Sequence, residues 1–217
     1  MSKIVINKKI ESFNKTILIP GDKSLSIRWV LFASLASGIS KAKNLLKSED
    51  VIAAINAVRK LGIRVNVHKN ETKIYGKGIN GYKYKKKIKI DAQNSGTLAR
   101  LILGILIDTP YPIKILGDKS LSKRDFKRIT DPLGKFGAKF KFKKKYNLPL
   151  TISGSAKLDS IKYIENKGSA QCKSAVIFGA MKARGTTIIK AKKSRNCLLY
   201  TSPSPRDRTR SRMPSSA

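Results

Sequence analysis

The residues best suited to chemistry in this chain are cations and small polar groups placed where apolar runs begin. Pro20-Gly21-Asp22-Lys23-Ser24-Leu25-Ser26-Ile27-Arg28 follows the strand-like run Thr16-Ile17-Leu18-Ile19 and opens Trp29-Val30-Leu31-Phe32-Ala33. A Pro-Gly turn leading into a helix leaves several backbone N–H groups unpaired and aimed at one point. Such an end attracts anions, and Lys23, Ser24 and Arg28 stand beside it. The chemistry suggested is the holding of a phosphate or a carboxylate. Taken alone, the stretch fits a capped helix with solvated charges equally well.

Three further stretches share its character. Gly117-Asp118-Lys119-Ser120-Leu121-Ser122-Lys123-Arg124 repeats it almost letter for letter after Pro112-Ile113-Lys114-Ile115-Leu116. Asn94-Ser95-Gly96-Thr97 precedes an apolar run containing Arg100, and Gly168-Ser169-Ala170-Gln171-Cys172-Lys173 precedes Ala175-Val176-Ile177-Phe178. Small and hydroxylic residues let backbone and ligand approach closely, and Arg100 and Lys173 add charge. Four such starts point to an internal repeat whose helix ends converge on an anionic ligand.

On these residues, spread over 1–196, the chain resembles the 5-enolpyruvylshikimate-3-phosphate synthase family. Members move a carboxyvinyl group from phosphoenolpyruvate to the 5-hydroxyl of shikimate 3-phosphate, releasing phosphate, in aromatic amino acid biosynthesis. The resemblance implies that Lys23, Gly96, Arg124 and Gln171 meet phosphoenolpyruvate. It implies that Lys23, Ser24, Arg28, Ser169, Ala170, Gln171 and Arg195 hold shikimate 3-phosphate, Ala170 through its backbone N–H. The family's acid and base are expected outside this chain, with no catalytic residue within it, no metal and no cofactor. Asp22 and Asp118 read as turn or capping groups. Asp125 departs from the family pattern, which has proline after the arginine. The alternatives are the sister carboxyvinyltransferase acting on UDP-N-acetylglucosamine and, from another class, a basic nucleic-acid-binding module. The sister enzyme uses an opening Lys-Asn pair and a loop cysteine, whereas this chain has Lys23-Ser24 and places Cys172 within an expected helix.

Composition bounds the rest. The 217 residues carry a net charge of +34, from 47 Lys and Arg against 13 Asp and Glu. Such a balance raises nucleic acid as a partner. The lysines are spread over the chain, however, and the dense runs Lys83–Lys89 and Lys139–Lys145 alternate with Tyr, Ile and Phe, as strands with a solvated face do. The partners expected are therefore small-molecule substrates, without nucleic acid or membrane. Two cysteines and the single histidine His68 exclude a Cys/His zinc site and a histidine-based triad. No signal peptide or membrane-spanning run is present, so a cytoplasmic protein is expected, monomeric at full length.

The positioning elements come from the periodicity. Strands are expected at Lys3–Asn7 and Thr16–Ile19, a helix from Ser24 to Ala36, and a second helix capped by Ser48 and stopped by Gly62. Strands Ile63–Val67 and Lys73–Tyr75 come next. The order recurs as strand Ile88–Asp91, helix Thr97–Ile107, strand Pro112–Leu116, helix Phe126–Phe136, and strands Ala138–Phe142 and Leu148–Ile152. Pro132 within this helix implies a kink or a late start. A third round begins with Ile161–Ile164, helix Ala170–Ala183 and strand Thr186–Ala191. The fold class is α/β, built of βαβαββ units. The resemblance adds helices inside, sheets outward, and a cleft between two such domains.

The end of the chain changes composition. Residues 1–196 hold 35 Lys and 8 Arg, while 197–217 hold 4 Arg and no Lys and are rich in Ser and Pro. The resemblance implies that residues 16–196 form a truncated substrate-binding domain and that 1–15 are a strand segment of a partner domain missing here. The tail 197–217 is read as disordered, non-native sequence of translated-adapter type joined to a truncated gene, making the chain an inactive fragment.

Overall fold

A helix that is apolar all round is driven inside, whereas one with a single apolar stripe lies at a surface. The computed structural model, which describes residues 14, 16 and 19–192, obeys this rule. The strands expected at Lys3–Asn7 and Thr16–Ile19, together with Arg195 and the tail, lie wholly or partly outside the described residues. The first unit comprises α1 (Lys23–Leu35), β1 (Ser37–Lys43), α2 (Glu49–Lys60), β2 (Arg64–Val67) and β3 (Glu71–Lys77). The second comprises β4 (Lys89–Asp91), α3 (Gly96–Ile105), β5 (Ile113–Leu116), α4 (Lys127–Lys135), β6 (Lys139–Lys144) and β7 (Asn147–Ser153). The third comprises β8 (Lys162–Glu165), α5 (Ala170–Ala180) and β9 (Ile188–Ala191).

The units share one topology. In the second, β4 and β5 pair parallel, and β5, β7 and β6 are successive antiparallel neighbours. The first repeats the latter part as β1-β3-β2, and the third repeats the former part as the parallel pair β8-β9. Strand β1 was not expected from the sequence, in which no element is assigned between Ala36 and Ser48. Its residues are mostly exposed, so no apolar alternation marks it.

Nine of the ten residues of α3 are buried, and α1 is buried on most sides. Helix α2 buries one stripe, Val51, Ala54, Ile55 and Val58, and places Glu49 and Asp50 in its first turn and Arg59 and Lys60 in its last, matching the helix dipole. Pro132 lies inside α4, whose start at Lys127 is within one residue of the Phe126 expected, so the proline does not delay the helix. Phe126, Phe136, Phe178, Ile27 and Leu31 are fully buried, and each such side chain contributes about 1.5–3 kcal/mol by leaving water. In β7 the alternate residues Leu148, Leu150 and Ile152 face this core. In β6, Lys139, Lys141 and Lys143 are exposed, with half-buried Phe140 and Phe142 between them. Part of the high positive charge thus lies on solvated sheet faces. Among the described residues, no helix is long and apolar enough to cross a membrane.

Candidate functional site

Three inner helices bring their starts to one end of the domain. Gln171, at the start of α5, donates from Nε2 to Thr97 Oγ1 at 3.1 Å and accepts at Oε1 from Arg100 Nη1, also at 3.1 Å, both on the first turns of α3. Further along, a Cβ on Gly104 would meet the Ala175 carbonyl at 2.1 Å, so the two helices run parallel in close contact. Helix α1 joins them the same way. Arg28 Nη2 donates to Ser174 Oγ at 3.4 Å, and the Phe32 and Phe178 rings lie 4.5 Å apart a turn later. The N-termini of α1, α3 and α5 therefore share one side, where their unpaired N–H groups favour anions.

Each start is shaped locally. Asp22 Oδ1 accepts from Leu25 N at 2.7 Å, Ser95 Oγ from Leu98 N at 3.3 Å, and Ser169 Oγ from Cys172 N at 3.3 Å. Gly21 is required where it stands, because a Cβ there would lie 2.3 Å from the Asn44 carbonyl oxygen. Asp118 behaves like Asp22: its Oδ1 accepts from Leu121 N at 2.6 Å, while Oδ2 accepts from Asn94 Nδ2 at 2.9 Å. Both aspartates are capping and loop-tying groups. The Gly117–Arg124 stretch does not open an α-helix as its likeness to Gly21–Arg28 suggests. It forms a single 3₁₀ turn, Leu121–Lys123, and α4 starts only at Lys127.

The result is a cleft of about 820 Å³ walled by the cations Arg100, Arg124, Lys127, Arg128 and Lys167, the acids Asp125 and Asp131, and Gln171. Its floor is tight. A Cβ on Gly96 would sit 2.8 Å from Arg100 Nη1 and 3.0 Å from Arg124 Nη1, so the absence of a side chain there admits both guanidinium groups. Arg100 is 5% exposed, lies over the Phe126 ring at 5.2 Å, and has a buried Nε without a hydrogen-bond partner among the described residues. Burial, followed by the like charges of Arg128 and Arg124, lowers its pKa from the ordinary value. Among the described residues the ion pairs are Lys23–Asp50, Lys73–Glu71 and Lys182–Asp108, none of which neutralises this cluster. Guanidinium groups crowded without carboxylate partners are arranged to grip a planar or tetrahedral oxyanion bidentately.

The expected site residues divide accordingly. Gly96, Arg124 and Gln171 meet in the cleft, with Arg100. Ser24 and Arg28 form an adjoining group, since Arg28 Nη1 donates to the Ser24 carbonyl at 3.2 Å and Nη2 reaches α5. Ser169 and Ala170, at the α5 start, adjoin both groups. Lys23 stands apart, its Nζ 3.4 Å from Asp50 Oδ2 on α2. Arg195 lies outside the described residues. Sequence reasoning missed Arg128 and Lys127, which line the cleft from the first turn of α4, and Lys167. The four-residue spacing of Arg124 and Arg128 was the available signal for the first of these. It also missed Ser174, the partner of Arg28; Lys173, read there as adding charge, is buried, and its Nζ has no hydrogen-bond partner among the described residues.

Known proteins are similar to this chain in sequence and in fold. The chain is 41% identical over 182 residues to the 3-phosphoshikimate 1-carboxyvinyltransferase of Bacillus subtilis, which covers 83% of this chain and 42% of the relative. It is 43% identical over 183 residues to that of Streptococcus mutans, covering 83% and 43% respectively. A solved EPSP synthase from Acinetobacter baumannii superposes with a TM-score of 0.77 at 33% identity, covering 82% of this chain and 40% of that one. The chain thus spans a little over two-fifths of the length of these curated relatives. The family model for EPSP synthase (3-phosphoshikimate 1-carboxyvinyltransferase) matches residues 7–198, and with the βαβαββ repeat and the helix-end cleft this places the chain in the EPSP synthase family.

Proposed function

We propose that this chain supplies one substrate-binding domain, residues 16–196, to the transfer of the carboxyvinyl group of phosphoenolpyruvate to the 5-hydroxyl of shikimate 3-phosphate. The products are 5-enolpyruvylshikimate 3-phosphate and phosphate. The observation that carries this reading is the pair of guanidinium groups, Arg100 and Arg124, packed over Gly96 beside Gln171, with no ion pair to either among the described residues. Arg124 and Gln171 hold the phosphate and carboxylate of phosphoenolpyruvate, with Gly96 leaving room and Arg100 fixing the Gln171 amide. Ser24, Arg28, Ser169 and the Ala170 N–H hold shikimate 3-phosphate at the α1 and α5 starts, with Arg195 completing that set. Lys23 leaves Asp50 to bridge the two ligands.

The reaction needs an acid to protonate the methylene carbon of phosphoenolpyruvate and a base for the attacking hydroxyl. Asp22 and Asp118 do not serve: Asp22 caps α1 through Oδ1, and both oxygens of Asp118 are engaged, by Leu121 N and Asn94 Nδ2. These groups come from the portion of the relatives' length that this chain does not span. The domain acts in the cytoplasm, as part of a monomeric enzyme.

The test is phosphate release with both substrates. The 217-residue chain is expected to bind shikimate 3-phosphate without turnover. A chimera joining residues 1–196 to the uncovered part of the Bacillus subtilis relative is expected to release phosphate. Turnover by the chain alone overturns the shared-site reading, and binding of neither substrate overturns the assignment itself.

A further inference from the structure

Glu165 is the one carboxylate among the described residues that is buried, at 3% exposure. Burying a carboxylate costs several kcal/mol unless a cation or strong hydrogen bonds compensate it. No ion pair among the described residues involves it, in a chain carrying 47 basic side chains. Both oxygens are instead spent on backbone donors: Oε1 accepts from Lys167 N at 3.0 Å and Oε2 from Ser169 N at 2.8 Å. The carboxylate thus spans the turn 166–168, which reverses at Gly168 with φ +68°. Its own backbone is fixed, because Glu165 ends β8 in register with Ala191, and its carbonyl accepts from Lys192 N at 2.9 Å.

We propose that Glu165 is a positioning residue that aims the start of α5 at the phosphate of the ligand. The inference rests on the reading of Ser169, Ala170 and Gln171 as shikimate 3-phosphate contacts. Glu165 takes the Ser169 N–H, and Ser169 Oγ caps Cys172 N, so the donors left at this helix end are the N–H groups of Ala170 and Gln171. Their direction is set by where Ser169 is held. The same hold governs Gln171, which bridges to Arg100 and Thr97 and so ties the α5 start to the guanidinium cleft. An ionised carboxylate is suited to this place because it offers acceptors only and faces two donors. Its charge also settles the positive end of α5 while no anion is bound.

The test uses the isotope-labelled 217-residue chain, titrated with shikimate 3-phosphate and followed by amide NMR. In the wild type, the Lys167 and Ser169 amides are expected to be protected from hydrogen exchange, and both are expected to lose that protection in Glu165→Ala. Glu165→Gln keeps the side-chain shape and one of the two acceptors, so it is expected to fold and to weaken binding about tenfold. Glu165→Ala is expected to weaken it about a hundredfold, as misplaced binding groups do. Glu165→Gln with wild-type affinity, or Lys167 and Ser169 amides whose exchange is unchanged in Glu165→Ala, overturns the proposal. A wild-type chain that does not bind the ligand overturns the substrate reading and the functional role built on it. The amide exchange then reports separately whether Glu165 holds the turn.

Discussion

Gly21–Arg28 and Gly117–Arg124 are near copies in sequence, and they begin alike in space. In each, the aspartate side chain accepts from the N–H three residues on, at 2.7 Å for Asp22 and 2.6 Å for Asp118. In each, the N–H of the serine four residues on donates to the aspartate carbonyl at 2.9 Å. Then they part. The first runs on as the 13-residue helix α1, because Trp29–Ala33 supply an apolar face with a core to enter. The second stops after one turn: Arg124 is extended at ψ 144°, and Asn147 Nδ2 holds its carbonyl at 3.2 Å. The shared letters therefore fix the first turn, and the residues beyond them decide the rest. One arginine becomes a buried strut between α1 and α5; the other becomes an exposed hand over Gly96.

The largest expected difference between the twins is at their glycines. Gly21→Ala would bring a Cβ to 2.3 Å from the Asn44 carbonyl, a backbone atom that cannot rotate away. A loss of about 3 kcal/mol is expected, read as a fall in the denaturant midpoint at unchanged slope. At Gly117 the obstacles are the ends of Leu121 and Leu148, at 2.8 and 2.9 Å, which can shift. Gly117→Ala is expected to cost about 1 kcal/mol. Equal losses would mean that the two turns are held alike.

The arginines come next. Arg124→Ala is expected to weaken phosphoenolpyruvate binding roughly 10- to 100-fold, the loss of charge-assisted hydrogen bonds, while leaving the unfolding midpoint unchanged. Arg28→Ala is expected to lower both shikimate 3-phosphate affinity and stability, the latter by about 1–3 kcal/mol, because the Ser24 carbonyl and Ser174 Oγ lose a buried donor. Calorimetric titration with parallel denaturant melts separates the two. An Arg124→Ala chain that melts early would make Arg124 a strut as well.

This divergence also marks how far the sequence could be read. The helices α1, α2, α3 and α5 were legible because apolar runs, caps and stops agree within a residue or two at most ends. Repetition of one motif type made a convergence of helix starts legible, and the family resemblance named Gly96, Arg124 and Gln171 among the residues that would meet there. Strand β1 was not, because Ser37–Lys43 lies at a sheet edge with exposed side chains, Ile39 included at 58%. The early stop after Lys123 was not, because it depends on Asn147, a residue from another strand. Glu165 was not, because its role rests on two backbone N–H groups that carry no side-chain signature. Local chemistry shows in letters; long-range partners do not.

The aspartate caps give a smaller effect. Asp22→Ala is expected to cost about 1 kcal/mol, the ordinary value of a helix cap. Asp118→Ala is expected to cost somewhat more, because it also releases Asn94 Nδ2 and with it the loop leading to Gly96. Phosphoenolpyruvate affinity is accordingly expected to fall in the second variant alone. A fall in both would place the α1 start within the phosphoenolpyruvate pocket.

The smallest effect concerns the residue next after each arginine: Trp29 beside Arg28, but Asp125 beside Arg124. Asp125 lines the cleft, and its negative charge acts against the lowering of the Arg100 pKa. A bound anion must therefore approach past a carboxylate. Asp125→Asn removes that charge but keeps the Oδ1 acceptor that Lys127 N–H uses at 2.5 Å, so stability is expected to stay the same. Phosphoenolpyruvate affinity is expected to rise about two- to fivefold at low salt, the scale of one exposed charge pair. The gain is expected to vanish near 1 M salt, where screening acts within about 3 Å. An Asp125→Asn chain with unchanged affinity at low salt would show that this carboxylate serves only the start of α4, leaving the guanidinium cluster to be tuned by burial and by Arg128.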